Sequence, residues 1–114
     1  MTNKIYFVDI DETICYYEGI NQKTAEKNSI DYKLAKPYEE RINKINKLFD
    51  EGNIIVYWTS RGSRTGINWF QLTLEQLNKW GAKFTELRLG KPHYDIFIDD
   101  KNINSEDFFT DLKS

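Results

Sequence analysis

Four short stretches carry the strand signal of this chain. Ile5-Tyr6-Phe7-Val8 and Ile54-Ile55-Val56-Tyr57-Trp58 are apolar without alternation, as expected of strands covered on both faces in a parallel sheet. Phe84 to Leu87 is a weaker run of mixed polarity, expected at a sheet edge, and Asp95-Ile96-Phe97-Ile98 reads as a fourth strand. Between them the spacing changes to a helical one. Tyr38, Ile42, Ile45 and Phe49, widened by Leu48, predict a helix that starts at Pro37 and stops at Gly52. Ile67, Phe70, Leu74 and Leu77 predict the inner face of a second helix, closed by Gly81 after Trp80, with Trp69 off that stripe and facing the core, a partner or a flap. Ser105 as N-cap with Phe108, Phe109 and Leu112 predicts a short docked helix in the tail. The segment from Cys15 to Lys36 has no clear period. Its Glu18-Gly19-Ile20-Asn21 turn signal predicts a small hairpin or flap. The order β-α-β-α-β-β-α implies an α/β fold with a central parallel sheet and right-handed crossovers.

Composition narrows the class. The 114 residues suffice for one domain, and 15% aromatic residues put a compact core within reach. No apolar run approaches the roughly 20 residues of a membrane helix. The Met1-Thr2-Asn3-Lys4 start has no apolar targeting stretch behind it, so no secretory signal is expected. The single Cys15 excludes an internal disulfide, fits a reducing compartment, and reads as a small buried hydrophobe. One His excludes a site built on several histidines. A net charge of −2 with scattered Lys and Arg leaves no footprint for nucleic acid. These features describe a soluble cytoplasmic domain, with neither nucleic acid nor membrane as partner.

Chemistry gathers where the strands end. The first run stops in Asp9, with Asp11 and Thr13 behind it; the second stops in Thr59-Ser60-Arg61-Gly62; the fourth stops in Asp99-Asp100. Open α/β sheets bind ligands at the carboxyl ends of their strands. Two acids as close as Asp9 and Asp11 repel unless a proton or a cation is shared, although Asp also simply caps turns. An acid cluster suits a hard cation such as Mg²⁺ with oxygen ligands. A hydroxyl from Thr59 or Ser60 and the ammonium of Lys91 beside it suit a phosphoryl group. In that constellation Asp9 is the candidate nucleophile, and Asp11 the acid that protonates the leaving oxygen and then takes a proton from water.

Asp9-Ile10-Asp11-Glu12-Thr13 resembles the D-x-D-x-T signature of the haloacid dehalogenase (HAD) superfamily of phosphohydrolases. Thr59, Lys91 and Asp99-Asp100 match its later motifs in order, so the likeness runs from about Lys4 to Asn104. The resemblance implies a Rossmann-like sheet in the order 3-2-1-4 and Mg²⁺-dependent hydrolysis of phosphate esters. It implies Asp9 as nucleophile and metal ligand, and Asp11 as acid/base with its carbonyl on the metal. It further implies Thr59 and Lys91 on the phosphate, Asp99 as direct metal ligand, and Asp100 as a metal-shell acid or second ligand. The short Cys15–Lys36 stretch stands where this superfamily inserts a large cap, so the chain is similar to the capless kind, whose sugar-phosphate members are oligomers. Trp58-Thr59-Ser60-Arg61-Gly62 and Gly90-Lys91-Pro92-His93-Tyr94-Asp95 are most similar to small phosphatases of polysaccharide or capsule biosynthesis.

Two features depart from the pattern. Glu12 stands where many small-molecule phosphatases of the superfamily have Gly, and Asp-Glu-Thr is similar to phosphoprotein phosphatases of the C-terminal-domain type. Lys91 lies eight positions before Asp99, too close for an intervening helix, so it must reach the site from a loop. Specificity candidates are Arg61, Arg64, Arg88, His93, Tyr16 and Tyr17. Arg61 reads as a clamp for an acidic part of the substrate or as a bridge to a surface acid. His93 reads as pocket lining or as an exposed loop residue. Three rival readings are a phosphoprotein phosphatase, a catalytically silent HAD-like binding protein, and a receiver domain. The last places its acidic pair first in the chain, whereas here Asp99-Asp100 comes last.

Overall fold

The structure is a computed structural model that describes residues 3–18 and 31–112. In chain order the elements are β1 (Ile5–Val8), β2 (Cys15–Tyr16), β3 (Lys36–Pro37), α1 (Glu39–Asp50), β4 (Ile54–Trp58), α2 (Phe70–Lys79), β5 (Glu86–Arg88) and α3 (Ser105–Phe108). Single 3-10 turns lie at Tyr32–Leu34 and Thr110–Leu112. β1, β4 and β5 form a parallel sheet in the order β1-β4-β5, with Ile5 opposite Ile54, Val8 opposite Tyr57 and Trp58 opposite Arg88. The fold is an α/β arrangement of Rossmann-like kind. The parallel register matters because it sets the carboxyl ends of β1 and β4 side by side.

β4 fulfils the expectation of a strand covered on both faces: Ile55, Val56 and Tyr57 in succession are buried. β1 does not. Ile5 is 64% and Phe7 52% exposed, and among the described residues β1 is an edge strand paired only with β4. The reason lies in the fourth strand expected over 95–98, which is not formed. Residues 92–104 are all exposed and no strand falls among them, with Ile96 at 79% and Ile98 at 92%. The sequence run is apolar enough for a strand, but it finds no pairing partner here, and the free edge of β1 is the counterpart of that.

The helices follow the apolar spacing with corrections. In α1 the stripe holds: Ile42 and Ile45 are buried and Leu48 and Phe49 half-buried, each fully buried side chain contributing about 1.5–3 kcal/mol. Glu39 and Glu40 in the first turn and Lys47 in the last suit the helix dipole. The helix begins after Tyr38 rather than at Pro37, because Pro37 pairs with Cys15 in the β2–β3 ladder. In α2 the expected inner face holds in its second half, with Leu77 buried and Leu74 packed against the core, and fails in its first. Ile67 precedes the helix and is exposed, as is Phe70, and the buried positions are Thr73, Gln76 and Leu77. The tail helix is capped by Asn104, whose side chain accepts the Glu106 N–H, rather than by Ser105. Phe109 closes the core over α1, held there by Arg41 and Lys44, whose cations lie over its ring and bond Glu106 and Asp111.

The expected hairpin in the 15–36 segment is present at its base, where β2 and β3 pair antiparallel and Lys36 bridges Glu18 at 2.9 Å. The predicted turn at Gly19-Ile20-Asn21 lies outside the described residues.

Candidate active site

The loop after β1 is tight. The Ile10 carbonyl accepts N–H bonds from Thr13 (3.1 Å) and Ile14 (2.9 Å), and the Glu12 N–H reaches the Cys15 carbonyl at 2.9 Å. To make this turn Glu12 adopts a φ of 64°, the left-handed region that glycine fills without strain. The turn anchors itself on the apolar side chains of Ile10 and Ile14, both fully buried, and presents Asp9 and Asp11 to different surroundings.

Asp9 faces Lys91. Its Oδ1 lies 3.6 Å from the Lys91 ammonium, and its Oδ2 accepts the Thr13 hydroxyl at 3.3 Å. Burial raises the Asp9 carboxyl above the ordinary carboxylate range; Lys91 pulls it down, and the negative charge of Asp11 pushes it up again. The loop position of Lys91 is well fixed. Its backbone N–H donates to the Thr59 carbonyl at 3.2 Å, and its own carbonyl accepts the Ser63 hydroxyl at 2.7 Å. Its ammonium also lies over the rings of Trp58 and Tyr94, at 5.7 and 5.4 Å. Thr59 is buried at the end of β4, its hydroxyl accepting the Arg61 N–H at 3.1 Å, and Ser60 is half-buried in the turn that follows. Gly62 in that turn has a φ of 82°, and a side chain there would collide with the Ile67 carbonyl. The structure therefore brings Asp9, Thr13, the end of β4 and Lys91 to one place.

Asp11 is engaged elsewhere. Its two oxygens accept Arg61 Nε at 3.0 Å and Nη2 at 2.8 Å, a two-pronged pair, and Oδ1 also accepts the Tyr17 hydroxyl at 2.6 Å. Arg61 is 1% exposed. Its remaining N–H groups go to Thr73 Oγ1 (3.1 Å), Gln76 Oε1 (2.6 Å) and the Tyr17 oxygen (3.3 Å), and the Tyr32 ring covers it at 4.7 Å. Burial works against its charge, but the hydrogen bonds and charge of Asp11 outweigh that and hold it protonated. Arg61 is thus no substrate clamp: it lies under the site, not in it. Tyr17 likewise turns inward, and burial pushes its hydroxyl up beyond the usual phenol range. Cys15 is buried as expected, its thiol pushed up by the same cause.

The other candidates disperse. Arg64 and His93 are exposed on loops, and Arg88 pairs with Glu86 at 2.7 Å on the sheet edge. Tyr16 stacks on Tyr38 at 4.8 Å along a groove of ≈ 430 Å³ that Arg41, Phe109 and Leu112 also line, and that none of Asp9, Thr59 and Lys91 reaches. Asp99 and Asp100 are exposed after the unpaired 95–98 segment, Asp99 Oδ1 accepting the N–H of Asp100. Among the described residues no three Asp, Glu, His or Cys side chains gather as a cation would require. As arranged here, the acids do not form a Mg²⁺ cage: Asp9 faces Lys91, Asp11 faces Arg61, and the Asp99-Asp100 pair stands apart.

The sequence missed Thr73, Gln76 and Ser63. The first two leave a trace, as polar residues three apart interrupting an apolar helix face. Ser63 leaves none.

Fold and site together define an α/β protein with a carboxylate–lysine pair at the carboxyl edge of a parallel sheet. No family model matches the chain, and no curated protein does. Among solved structures it is similar to a structural genomics target from Vibrio cholerae, with a TM-score of 0.73 and 26% identity over 92% of this chain and 86% of that one.

Proposed function

We propose that the chain is a HAD-type phosphomonoester hydrolase acting on a sugar phosphate or related small metabolite. The observation that carries this reading is the Lys91 ammonium 3.6 Å from the Asp9 carboxylate, at the end of β1 and clamped to the end of β4. A nucleophilic oxygen beside a fixed cation is what transfer of a phosphoryl group requires. In the first step an Asp9 oxygen bonds to phosphorus as the ester P–O bond breaks, and Asp11 gives its proton to the departing oxygen. In the second, water loses a proton to Asp11 and attacks the aspartyl phosphate, releasing phosphate and freeing Asp9. Lys91 neutralises the phosphoryl oxygens throughout.

The finer fold belongs to the same reading. In it residues 95–98 would take the free edge of β1 as a further parallel strand, beside β1 in the sheet β5-β4-β1 (the order 3-2-1-4 of the resemblance), and would bring Asp99 beside Asp9. Support comes from the exposed apolar side chains on both partners, Ile5 and Phe7 on one and Ile96 and Ile98 on the other, and from the general liability of an unpaired edge. In that arrangement Asp9, the Asp11 carbonyl and Asp99 or Asp100 would hold Mg²⁺, and the ion would supply charge neutralisation to the phosphoryl group. With no large cap in the 15–36 segment, a second copy of the chain is the proposed cover for the site, and the cytoplasm its proposed location.

The engagement of Asp11 with Arg61 favours a second reading, a catalytically silent binding protein of the same fold. One assay separates the two. Hydrolysis of an aryl phosphate with Mg²⁺ is expected from the native chain, with a fall of at least about 10³-fold in Asp9→Asn. Absence of turnover favours the silent protein, and an active Asp9→Asn removes the nucleophile assignment. A panel of sugar phosphates, nucleotides and phosphopeptides then fixes the substrate class, with phosphopeptide turnover marking the phosphoprotein phosphatase alternative.

A further inference from the structure

We infer that Arg61 is the positioning residue of Asp11, fixing the orientation from which that side chain exchanges its proton with the leaving oxygen. The inference rests on the phosphatase reading above and deepens it. The case is one of complete satisfaction. A guanidinium has five N–H bonds, and in Arg61 they meet Asp11 twice, Tyr17, Thr73 and Gln76, all within 3.3 Å. Thr73 and Gln76 sit on α2, Tyr17 follows β2, and Arg61 follows β4, so separate parts of the fold are tied to one carboxylate. Gln76 is itself braced, donating to the Tyr32 carbonyl at 2.7 Å, and Tyr32 packs its ring against Trp69 at the start of α2.

Burying a guanidinium is costly unless every donor is met, and a lone surface ion pair needs no such support. Ordinary core packing at this point would call for an apolar side chain. An arginine with each donor assigned instead specifies direction, since its planar fork admits a carboxylate in one orientation only. Lysine cannot reproduce that. Arg61 is buried, with all its donors spent on Asp11, Tyr17, Thr73 and Gln76. Its effect passes through Asp11.

The proton transfer at stake is the one that accompanies cleavage, with Asp11 entering as the protonated acid. The Asp9 oxygen–phosphorus bond forms, the ester P–O bond breaks, and the electron pair left on the ester oxygen takes the Asp11 proton; the water that later attacks the aspartyl phosphate returns a proton to Asp11. A poor leaving group such as an alkoxide needs that proton, whereas a dinitrophenolate does not. The test therefore compares kcat/KM for an alkyl phosphate and for 2,4-dinitrophenyl phosphate in the native chain, Asp11→Asn, Arg61→Lys and Tyr17→Phe. Tyr17→Phe removes one bond to Asp11 and the acceptor of one Arg61 N–H while leaving both charges in place, and it carries the test if Arg61→Lys does not fold. The expected result is a loss on the order of 10²-fold for the alkyl ester in Asp11→Asn and Arg61→Lys, smaller but still selective in Tyr17→Phe, with under about 10-fold for the activated ester. Parallel loss on both esters, or none on either, in folded Arg61→Lys or Tyr17→Phe overturns the positioning role and leaves the phosphatase reading standing. A native chain inactive on both esters overturns the phosphatase reading and this inference with it.

Discussion

At Glu12 the chain accepts a left-handed backbone to make the turn that follows Asp11. A non-glycine residue there costs about 1–2 kcal/mol, part of which glycine gives back through its own lost chain entropy. Glu12→Gly is accordingly expected to raise stability by about 0.5–1 kcal/mol in chemical denaturation. A drop instead would show that the glutamate side chain contributes more than its backbone costs. Tyr57 is the opposite case, a side chain whose polar end is misplaced. It is fully buried, and among the described residues its hydroxyl finds no partner. Burial raises its pKa above the ordinary 10.0, so the folded state keeps a proton that the unfolded chain loses. Stability from this group is intact below pH 10.0 and declines as pH rises beyond it, by about 1.4 kcal/mol per pH unit. Cys15 and Tyr17 act in the same direction from 9.0 and 10.0 upward. Tyr57→Phe should be neutral or stabilising by about 1 kcal/mol at pH 7 and should flatten the alkaline fall, as urea titrations at pH 7 and 10.5 would reveal. At this scale the sequence was informative about identity and silent about direction. The spacing of Asp9, Thr13, Thr59 and Lys91 announced the strand-end cluster, yet nothing in the order of residues said that Arg61 would point inward, because that depends on Thr73 and Gln76 a helix away.

Between elements, the local signals of α1 and β4 were strong enough to read directly: a stripe of isoleucines at helical spacing, and a branched apolar run with no polar interruption. The face of α2 was half legible from hydrophobicity: Leu74 and Leu77 turn inward as their spacing says, but the polar anchors Thr73 and Gln76 for Arg61 take the neighbouring buried positions. Residues 95–98 illustrate the remaining limit. Their composition suits a strand, but pairing with β1 joins segments some ninety positions apart, and such closure is decided by the whole chain and not by the run itself. Ile96→Asp decides between the two states. If the segment joins β1, a carboxylate buried in the sheet is expected to cost about 3 kcal/mol; if it stays exposed, stability moves by no more than about 0.5 kcal/mol.

The molecule has a radius of gyration of 14.0 Å and extents of 43 × 31 × 31 Å. A domain of this length is expected near 13 Å, and the slight excess agrees with residues 92–104 lying outside the core. No described helix is long and apolar enough to cross a membrane. If Asp99 joins Asp9 around a divalent ion, occupation of the site fastens that outlying segment to the rest. Mg²⁺ is then expected to raise the melting temperature of the native chain, with about 2.7 kcal/mol of added stability at a hundred times its dissociation constant, and to leave Asp9→Asn unchanged. Equal shifts in both would mean that the ion acts elsewhere.

The short β2–β3 ladder carries one more implication. It pins Tyr16 against Lys36, and the described residues just inside it belong to the core of the fold: Tyr17 bonds Asp11, and the Tyr32 ring covers Arg61. Doubling the length of an excursion closed in this way adds only about 0.6 kcal/mol of closure entropy. A longer segment grafted there is therefore tolerable in entropy only if it keeps Tyr17 and Tyr32, the two side chains that tie this excursion to the buried Arg61–Asp11 pair.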